Sequence, residues 1–311
     1  MSVVESPPRV PSVIEGSASG EARARVSISR ILRDYLSLTK PRIAVLLLLT
    51  EFTSMLVIAR GWPGTPLVLW ALLAGYLSSG GASAINCWFD RDIDAVMRRT
   101  RPRPIPSGRV RPISGLIFGV ALSGLGFATF WLISGPPAAL LALAGGAIYV
   151  LVYTMWLKRW TKQNIVIGGA AGAMPPLVAS AVVVHTVTPL ALCLFAIVFL
   201  WTPPHFWSLA LMLRRDYGDA KVPMHPVVAG GESTQRAIVA YSLLLLVASL
   251  VPAIWLGLGY LVVAAILGGL FIAMAVITRS GSTTAWTRTL FAYSIAYLAI
   301  LFAAAAVAAV V

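Results

Sequence analysis

Long apolar runs recur along this chain, and only short polar stretches separate one run from the next. They lie near residues 43–60, 66–87, 113–133, 138–156, 164–184, 188–213, 235–256, 260–278 and 286–308. Each run can cross a bilayer as a helix, because the hydrocarbon core takes roughly 20 apolar residues. A soluble core cannot cover this much apolar surface, since 59% of the 311 residues are hydrophobic and 11% are charged. The pattern predicts an all-α, polytopic membrane protein with about nine transmembrane helices. The boundaries between runs are least clearly marked at Gly135–Pro137 and Gly257–Gly259, where only a few turn residues separate two apolar runs.

The basic residues are segregated along the predicted topology. All but one of the 24 lysines and arginines precede the first span or lie in the connections after the second, fourth, sixth and eighth spans; the exception is Arg60. Such an excess of basic residues marks the cytoplasmic side of a membrane protein. We therefore attribute the net charge of +13 to topology and expect no nucleic-acid partner. The prediction is a bacterial plasma-membrane protein with a cytoplasmic N-terminus and an external C-terminus.

The start of the chain is rich in Ser, Pro, Gly and Arg. This composition predicts a disordered cytoplasmic tail over residues 1–35, followed by the transmembrane domain over residues 36–311. A mitochondrial inner membrane is the less favoured location. Glu5, Glu15 and Glu21 do not fit the acid-poor composition of a mitochondrial presequence.

An asparagine and three aspartates crowd the end of the second span. If the helix continues there, Asn86, Asp90 and Asp94 are spaced at i, i+4 and i+8 and stack on one face, while Asp92 points away. They supply only oxygen ligands, which hard cations prefer, and Mg²⁺ commonly joins one or two carboxylates to substrate phosphates. The pattern favours a Mg²⁺ site for a diphosphate substrate. The alternative is that these acids pair with neighbouring arginines at a solvated helix end.

Two charged connections lie on the predicted cytoplasmic side. The first, residues 97–109, is broken by prolines and dense in arginines, which bind phosphate oxygens in a bidentate manner; it also acts as a topology signal. The second, residues 214–224, contains Asp216, Asp219 and Lys221. The two connections could flank a single cavity, or they could be unrelated surface loops.

Two residues inside predicted spans are further candidates. His205 follows Pro203 and Pro204, which free backbone carbonyls and suggest a broken helix that lines a cavity; a lone histidine on an apolar helix is otherwise most often a core residue. Tyr153 lies near the end of the fourth span, where aromatic residues are common at the membrane interface.

Four separated blocks resemble, in order, the UbiA superfamily of intramembrane prenyltransferases, and in particular its heme-farnesylating branch. The blocks are NCWFDRDIDAVMRRTRPRPIPSGR (86–109), YTMWLKR (153–159), QNIVIGGAAGAMPP (163–176) and WTPPHFW (201–207). The resemblance implies helices around a central cavity. It also implies Mg²⁺-assisted transfer of the farnesyl group of farnesyl diphosphate to a vinyl group of heme B, giving heme O and diphosphate.

The resemblance also implies residue roles. The expected metal ligands are oxygen donors of the two acidic segments: Asn86, Asp90, Asp94 and Asp216. The expected diphosphate contacts are cations on the same side: Arg98, Arg101, Lys158 and Lys221. Tyr153 would lie beside the substrate, and His205 would contact heme or act as an acid or base. Because Asp216 and Asp219 stand at i, i+3 rather than the i, i+4 of many relatives outside this branch, Asp219 is the weaker candidate.

Two other functions stay open. A sibling enzyme could prenylate a quinone precursor or a chlorophyll-type ring with the same acidic motif, although the blocks around His205 and Lys158 favour the heme branch. A secondary transporter also combines apolar spans with intramembrane Pro and Gly, but its ions bind near mid-membrane, where only Glu51 lies here. Besides the two substrates, the expected partners are the lipid bilayer and either a heme A synthase or a terminal oxidase.

Overall fold

The computed structural model describes residues 28–280 and 284–311, and that part of the chain is helical and contains no strand. Its helices, in chain order, are α1 Ile28–Leu38, α2 Pro41–Ala59, α3 Thr65–Phe89, α4 Arg91–Val96, α5 Pro112–Ser134, α6 Pro136–Trp160, α7 Asn164–Val184, α8 Pro189–Met212, α9 Arg214–Asp219, α10 His225–Val228, α11 Gly230–Leu250, α12 Ala253–Ser280 and α13 Thr284–Val310. A proline lies in the first turn of α2, α3, α5, α6 and α8. Proline suits this position because its missing N–H would have no helical partner there.

Nine helices within the described residues are long and apolar enough to cross a membrane, and they are α2, α3, α5, α6, α7, α8, α11, α12 and α13. The predicted fold class and number of spans are therefore confirmed. The boundary between the seventh and eighth spans differs from the prediction. The seventh span, expected over 235–256, is Gly230–Leu250. The turn falls at Val251 and Pro252, and Gly257, with φ of 79°, forms a kink inside α12 instead. Pro252 ends the helix because it lacks the N–H that the next hydrogen bond needs.

The predicted disorder of residues 1–35 is wrong for residues 28–35, which belong to α1. Leu38 is fully buried, the Tyr35 ring meets the Phe118 ring edge-on at 5.0 Å, and Asp34 pairs with Arg109 at 3.0 Å. These contacts stabilise the segment against α5 and the loop before it, which composition alone does not reveal. Residues 1–27 lie outside the described part of the chain.

The fourth span contains a π-helical stretch at Ile148–Leu157. Within it, the Thr154 hydroxyl donates to the Tyr149 carbonyl at 2.7 Å, and the Tyr149 and Tyr153 rings stack with centroids 5.8 Å apart. π-Helical segments are rare and often occur at functional sites. The wider turn changes which residues of α6 face the second span, and nothing in the apolar periodicity predicted it.

Helices α3 and α5 approach closely through glycines that face each other. A Cβ atom added to Gly81 would lie 2.6 Å from the Gly119 carbonyl oxygen, and one added to Gly119 would lie 2.9 Å from the Gly81 carbonyl oxygen. Small residues permit such backbone contact between transmembrane helices. This contact supports the end of α3, from which the acidic motif extends.

We expect Gly81→Ala to destabilise the protein by about 1–3 kcal/mol, because the new methyl group meets backbone atoms that cannot move aside. The matched control is Gly124→Ala on α5, where an added Cβ would have no neighbour within 4 Å. Thermal unfolding in detergent should separate the two variants. Equal melting temperatures would contradict the close contact between α3 and α5.

Candidate active site

The acidic motif continues the second span in the expected register. Although α3 ends at Phe89, backbone hydrogen bonds from Asp90 N to Asn86 O (2.9 Å) and from Asp94 N to Asp90 O (2.8 Å) carry the helical path into α4. Asn86, Asp90 and Asp94 are 3%, 1% and 2% exposed, which shows that they face the interior and are not solvated surface acids.

Each member of the motif contacts a cation from another segment. Lys40 Nζ donates to Asn86 Oδ1 at 2.6 Å, Lys158 forms an ion pair with Asp90, and Arg103 Nη1 pairs with Asp94 Oδ2 at 2.6 Å. The alternative interpretation expected neighbouring arginines as partners, and among these three contacts only Arg103–Asp94 is of that kind, since the two lysines come from distant segments. Burial distinguishes these pairs from a solvated helix end.

Sequence reasoning identified Lys158 but missed Lys40 and Arg103. The arginines that it favoured, Arg98 and Arg101, are exposed, whereas Arg103 is half-buried against Asp94. No local signal separates Arg103 from Arg101, because each of them precedes a proline. The partners of the acids depend on how the loop folds back onto the motif.

The π-helical stretch supplies further contacts to the motif. Asn86 Nδ2 donates to Asp90 Oδ2 at 2.8 Å and to Thr154 Oγ1 at 2.9 Å, while the Tyr149 hydroxyl accepts from Lys40 Nζ at 3.1 Å. These partners orient the Asn86 amide with its carbonyl oxygen toward Lys40. Lys40 itself has a left-handed backbone, with φ of 52°, which turns the chain from α1 into α2.

Tyr153 lies at the boundary between the two charged connections. It packs in one apolar cluster with Ile93 of α4, with Met97 of the first connection and with Tyr217 and Met224 of the second. The expectation that the two connections flank one region is therefore supported by their packing. On the other side of the ring, a Cβ on Gly168 would lie 2.9 Å from Tyr153 Cγ, so the small-residue run of the fifth span permits close approach here, as expected.

The second connection contributes less to the buried site than the first. Asp216 is half-buried, while Asp219 and Lys221 are exposed. Tyr217, which sequence reasoning passed over, is its buried member. Burial raises the pKa of the Tyr217 hydroxyl, so this group stays protonated in the neutral range.

Asp92 has a different role from its neighbours. As expected it points away from Asp90 and Asp94, and its side chain is 59% exposed. Both of its oxygens accept from Arg159 at 2.7 Å. These hydrogen bonds lower the pKa of Asp92 to about 2, so it remains ionised and joins α4 to the end of α6.

The donor set is compatible with a bound Mg²⁺. Asp90 Oδ1 is buried and has no hydrogen-bond partner among the described residues, which is costly unless another group occupies the site in the working protein. Within the described chain, no three acidic, histidine or cysteine side chains converge as a metal cluster. A cation would therefore need amide and substrate oxygens besides two carboxylates, which is how proteins commonly bind Mg²⁺.

His205 lies on α8 in an aromatic sandwich with α13. Its ring stacks between Trp201 at 4.2 Å and Phe291 at 4.8 Å, measured between centroids. Ser294 Oγ donates to the Phe291 carbonyl at 2.6 Å and lies 2.7 Å from His205 Nδ1. Since the single hydroxyl proton is used, His205 Nδ1 must carry a proton and donate it to Ser294, which leaves Nε2 as an acceptor.

The fold and the site define a class: a multi-pass helical membrane protein with a buried asparagine and aspartates at the end of one span, each paired with a cation. The chain belongs to the UbiA prenyltransferase family, whose sequence pattern matches residues 47–295.

Several curated relatives are named protoheme IX farnesyltransferase. One from a Roseiflexus species is 50% identical over 283 residues, which cover 90% of this chain and 53% of the relative. One from Symbiobacterium thermophilum is 47% identical over 289 residues, which cover 91% of this chain and 96% of the relative. The chain thus spans about half the length of the former and nearly all of the latter.

Solved structures share the fold at low sequence identity. A digeranylgeranylglyceryl phosphate synthase has a TM-score of 0.75 at 18% identity, covering 90% of this chain and 98% of that one. A UbiA homologue from Archaeoglobus fulgidus, bound to DMAPP and Mg²⁺, has a TM-score of 0.64 at 16% identity, covering 87% and 99%. Both likenesses show that the helical architecture is that of the family.

The pairing of Arg103 with a buried carboxylate predicts unequal effects in the arginine-rich loop. We expect Arg103→Ala to destabilise the protein by roughly 3 kcal/mol, because Asp94 is left as an unpaired buried charge. Arg101→Ala removes an exposed guanidinium from the same loop and should change stability by less than about 0.5 kcal/mol. Thermal unfolding in detergent measures both, and equal effects would contradict the Arg103–Asp94 pair.

Proposed function

We propose that this chain transfers the farnesyl group of farnesyl diphosphate to a vinyl group of heme B. The observation that carries the proposal is the buried row of Asn86, Asp90 and Asp94 with its cations, in a chain whose close relatives are named protoheme IX farnesyltransferase. In the proposed reaction, the allylic carbon–oxygen bond breaks and the vinyl group forms a new carbon–carbon bond. Water then adds to the resulting cation and loses a proton, which gives heme O and diphosphate.

The first requirement of this reaction is stabilisation of the leaving diphosphate. We assign the Mg²⁺ ligands to Asn86, Asp90 and Asp94, with Asp216 approaching from the second connection. Bound there, Mg²⁺ would supply positive charge to the phosphate oxygens as the bond breaks. Fixed charges in a site that excludes water act more strongly than the same charges in solvent.

The cations around the motif would bind the diphosphate directly. Lys158 is the strongest candidate because it already lies against Asp90. The exposed side chains of Arg98, Arg101 and Lys221 belong to the two connections that pack together, and we assign them to the outer phosphate oxygens. Arginine in particular forms paired hydrogen bonds with phosphate.

The allylic cation and the heme require different groups. We assign Tyr153 to the prenyl group, since the face of an aromatic ring attracts a cation. His205 presents Nε2 as its free acceptor, so this atom would either bind the heme iron or take the proton from the attacking water. Its stacking between Trp201 and Phe291 keeps the ring in one orientation for either role.

The apolar spans and the distribution of basic residues support a proposed membrane location and topology. We assign the protein to a bacterial plasma membrane with the acidic motif on the cytoplasmic side, where basic connections are retained. Its product would be used by a heme A synthase or a terminal oxidase in the same membrane.

The decisive test is turnover of purified protein with heme B, farnesyl diphosphate and Mg²⁺, followed by mass spectrometry of the porphyrins. Wild type should give farnesylated heme, and Asp90→Asn should lose at least about 100-fold in rate because the buried ligand loses its charge. Asp92→Asn is the matched control. It removes an exposed acid two residues away, whose ion pair contributes about 0–1 kcal/mol, and it should retain near wild-type turnover. Unchanged heme together with prenylation of an aromatic acceptor would overturn the proposed substrate.

Loss of the His205 ring should affect heme binding or the removal of a proton from the attacking water. We expect His205→Ala to lower turnover by about 100-fold, the usual contribution of a positioned acid–base group. A heme titration followed by the Soret band separates the two roles, since loss of an iron ligand shifts the band and loss of a base does not. His185→Ala, at the end of the fifth span, removes a histidine that bonds only to the Ser134 carbonyl in the described contacts and should behave as wild type. Full turnover by His205→Ala would contradict the assignment.

A further inference from the structure

The atoms that a metal would need are occupied by the protein's own cations. Asn86 has one atom that can coordinate a metal, its carbonyl oxygen Oδ1, and Lys40 Nζ donates to that atom at 2.6 Å. The amide nitrogen is committed to Asp90 and Thr154, which prevents the amide from turning round. Asn86 can therefore act as a ligand only after Lys40 has moved away.

The two carboxylates show the same arrangement. Lys158 contacts Asp90 Oδ2, and Arg103 Nη1 contacts Asp94 Oδ2 at 2.6 Å. The other oxygen of Asp90, Oδ1, is buried without a hydrogen-bond partner among the described residues, and its nearest cation is Arg159 Nη2 at 4.0 Å. The carboxylates can receive a metal fully only if these cations find another anion.

The charges indicate what that anion is. The three cations Lys40, Lys158 and Arg103 face the two carboxylates Asp90 and Asp94. A fourth cation, Arg159, lies 4.0 Å from Asp90 but is balanced by Asp92, so the set carries one excess positive charge. A divalent cation alone would raise this excess to three, in a buried place where like charges repel strongly. A diphosphate group, which carries about three negative charges when ionised, would restore neutrality.

We infer that Lys40 is a switch: it donates to Asn86 Oδ1, as observed, and moves to a diphosphate oxygen when metal and diphosphate enter together. This inference rests on the proposed function and extends it, because it assigns a role to a residue outside the acidic motif and couples the two binding events. The lysine side chain suits the move, since its ammonium group is a compact charge on a flexible stem. The Tyr149 hydroxyl, 3.1 Å from Lys40 Nζ, offers the displaced ammonium group a second contact.

The test measures binding of Mn²⁺, a hard divalent ion that takes the same oxygen ligands as Mg²⁺. Protein in nanodiscs is titrated with Mn²⁺ alone and, separately, with a preformed Mn²⁺–pyrophosphate complex, and bound Mn²⁺ is determined by electron paramagnetic resonance. Wild type should bind the complex more tightly than Mn²⁺ alone. Lys40→Met should bind Mn²⁺ alone at least about tenfold more tightly than wild type, because a like charge beside the metal is gone. It should bind the complex less tightly than wild type, so the two effects have opposite signs.

Two further variants serve as controls. Lys40→Arg keeps the charge and should retain the wild-type preference, which shows that the effect depends on the cation and not on a damaged fold. Arg42→Met removes an exposed cation from the first turn of α2 and should leave both affinities unchanged.

The possible results test the Lys40 switch and the proposed metal site separately. Lys40→Met with wild-type or weaker affinity for Mn²⁺ alone, while wild type binds the complex, would overturn the switch and leave the metal site intact. Wild type that binds neither titrant would overturn the metal site of the proposed function, and the switch with it.

Discussion

Compensation of buried charge is the constraint on which the rest of this structure depends. Asp90 and Asp94 are almost completely buried at the end of a membrane-spanning helix, where an unpaired carboxylate would be very costly. Each therefore has a cation from another segment, Lys158 from the fourth span and Arg103 from the loop after the acids. The first pair joins two spans that are far apart in sequence, and the second folds the loop back onto the motif.

The same constraint explains the irregular backbone around the site. A π-helical stretch in the fourth span brings Tyr149 and Thr154 into contact with Lys40 and Asn86. Lys40 takes a left-handed conformation at the junction of α1 and α2. Such departures from regular helix cost free energy and persist only where surrounding contacts compensate them. Both of these departures adjoin the asparagine and the aspartates of the motif, and the contacts to Asn86 and Lys40 are what compensate them.

His205 is oriented by a separate network. Its contacts come from aromatic rings and a serine on α8 and α13, with Trp201 Nε1 also donating to the Ser294 carbonyl at 2.7 Å. The charged motif and the aromatic sandwich are thus built from different helices by different interactions. The first consists of buried charges with compensating partners, whereas the second consists of stacked rings and a serine hydroxyl.

The class of fold, the number of spans and the acidic motif could be predicted from the amino-acid sequence. Apolar runs and i, i+4 spacing are local properties, and a membrane allows only a few backbone structures to span it. Local spacing also separated Asp92 from its neighbours, whereas Lys158 was found through the family resemblance. The folded structure alone shows which cation pairs with which acid, because Lys40 and Arg103 reach the motif through the turn after α1 and the fold of a proline-rich loop. It likewise decided that residues 28–35 are helical and that His205 presents Nε2, since both depend on contacts between segments distant in sequence.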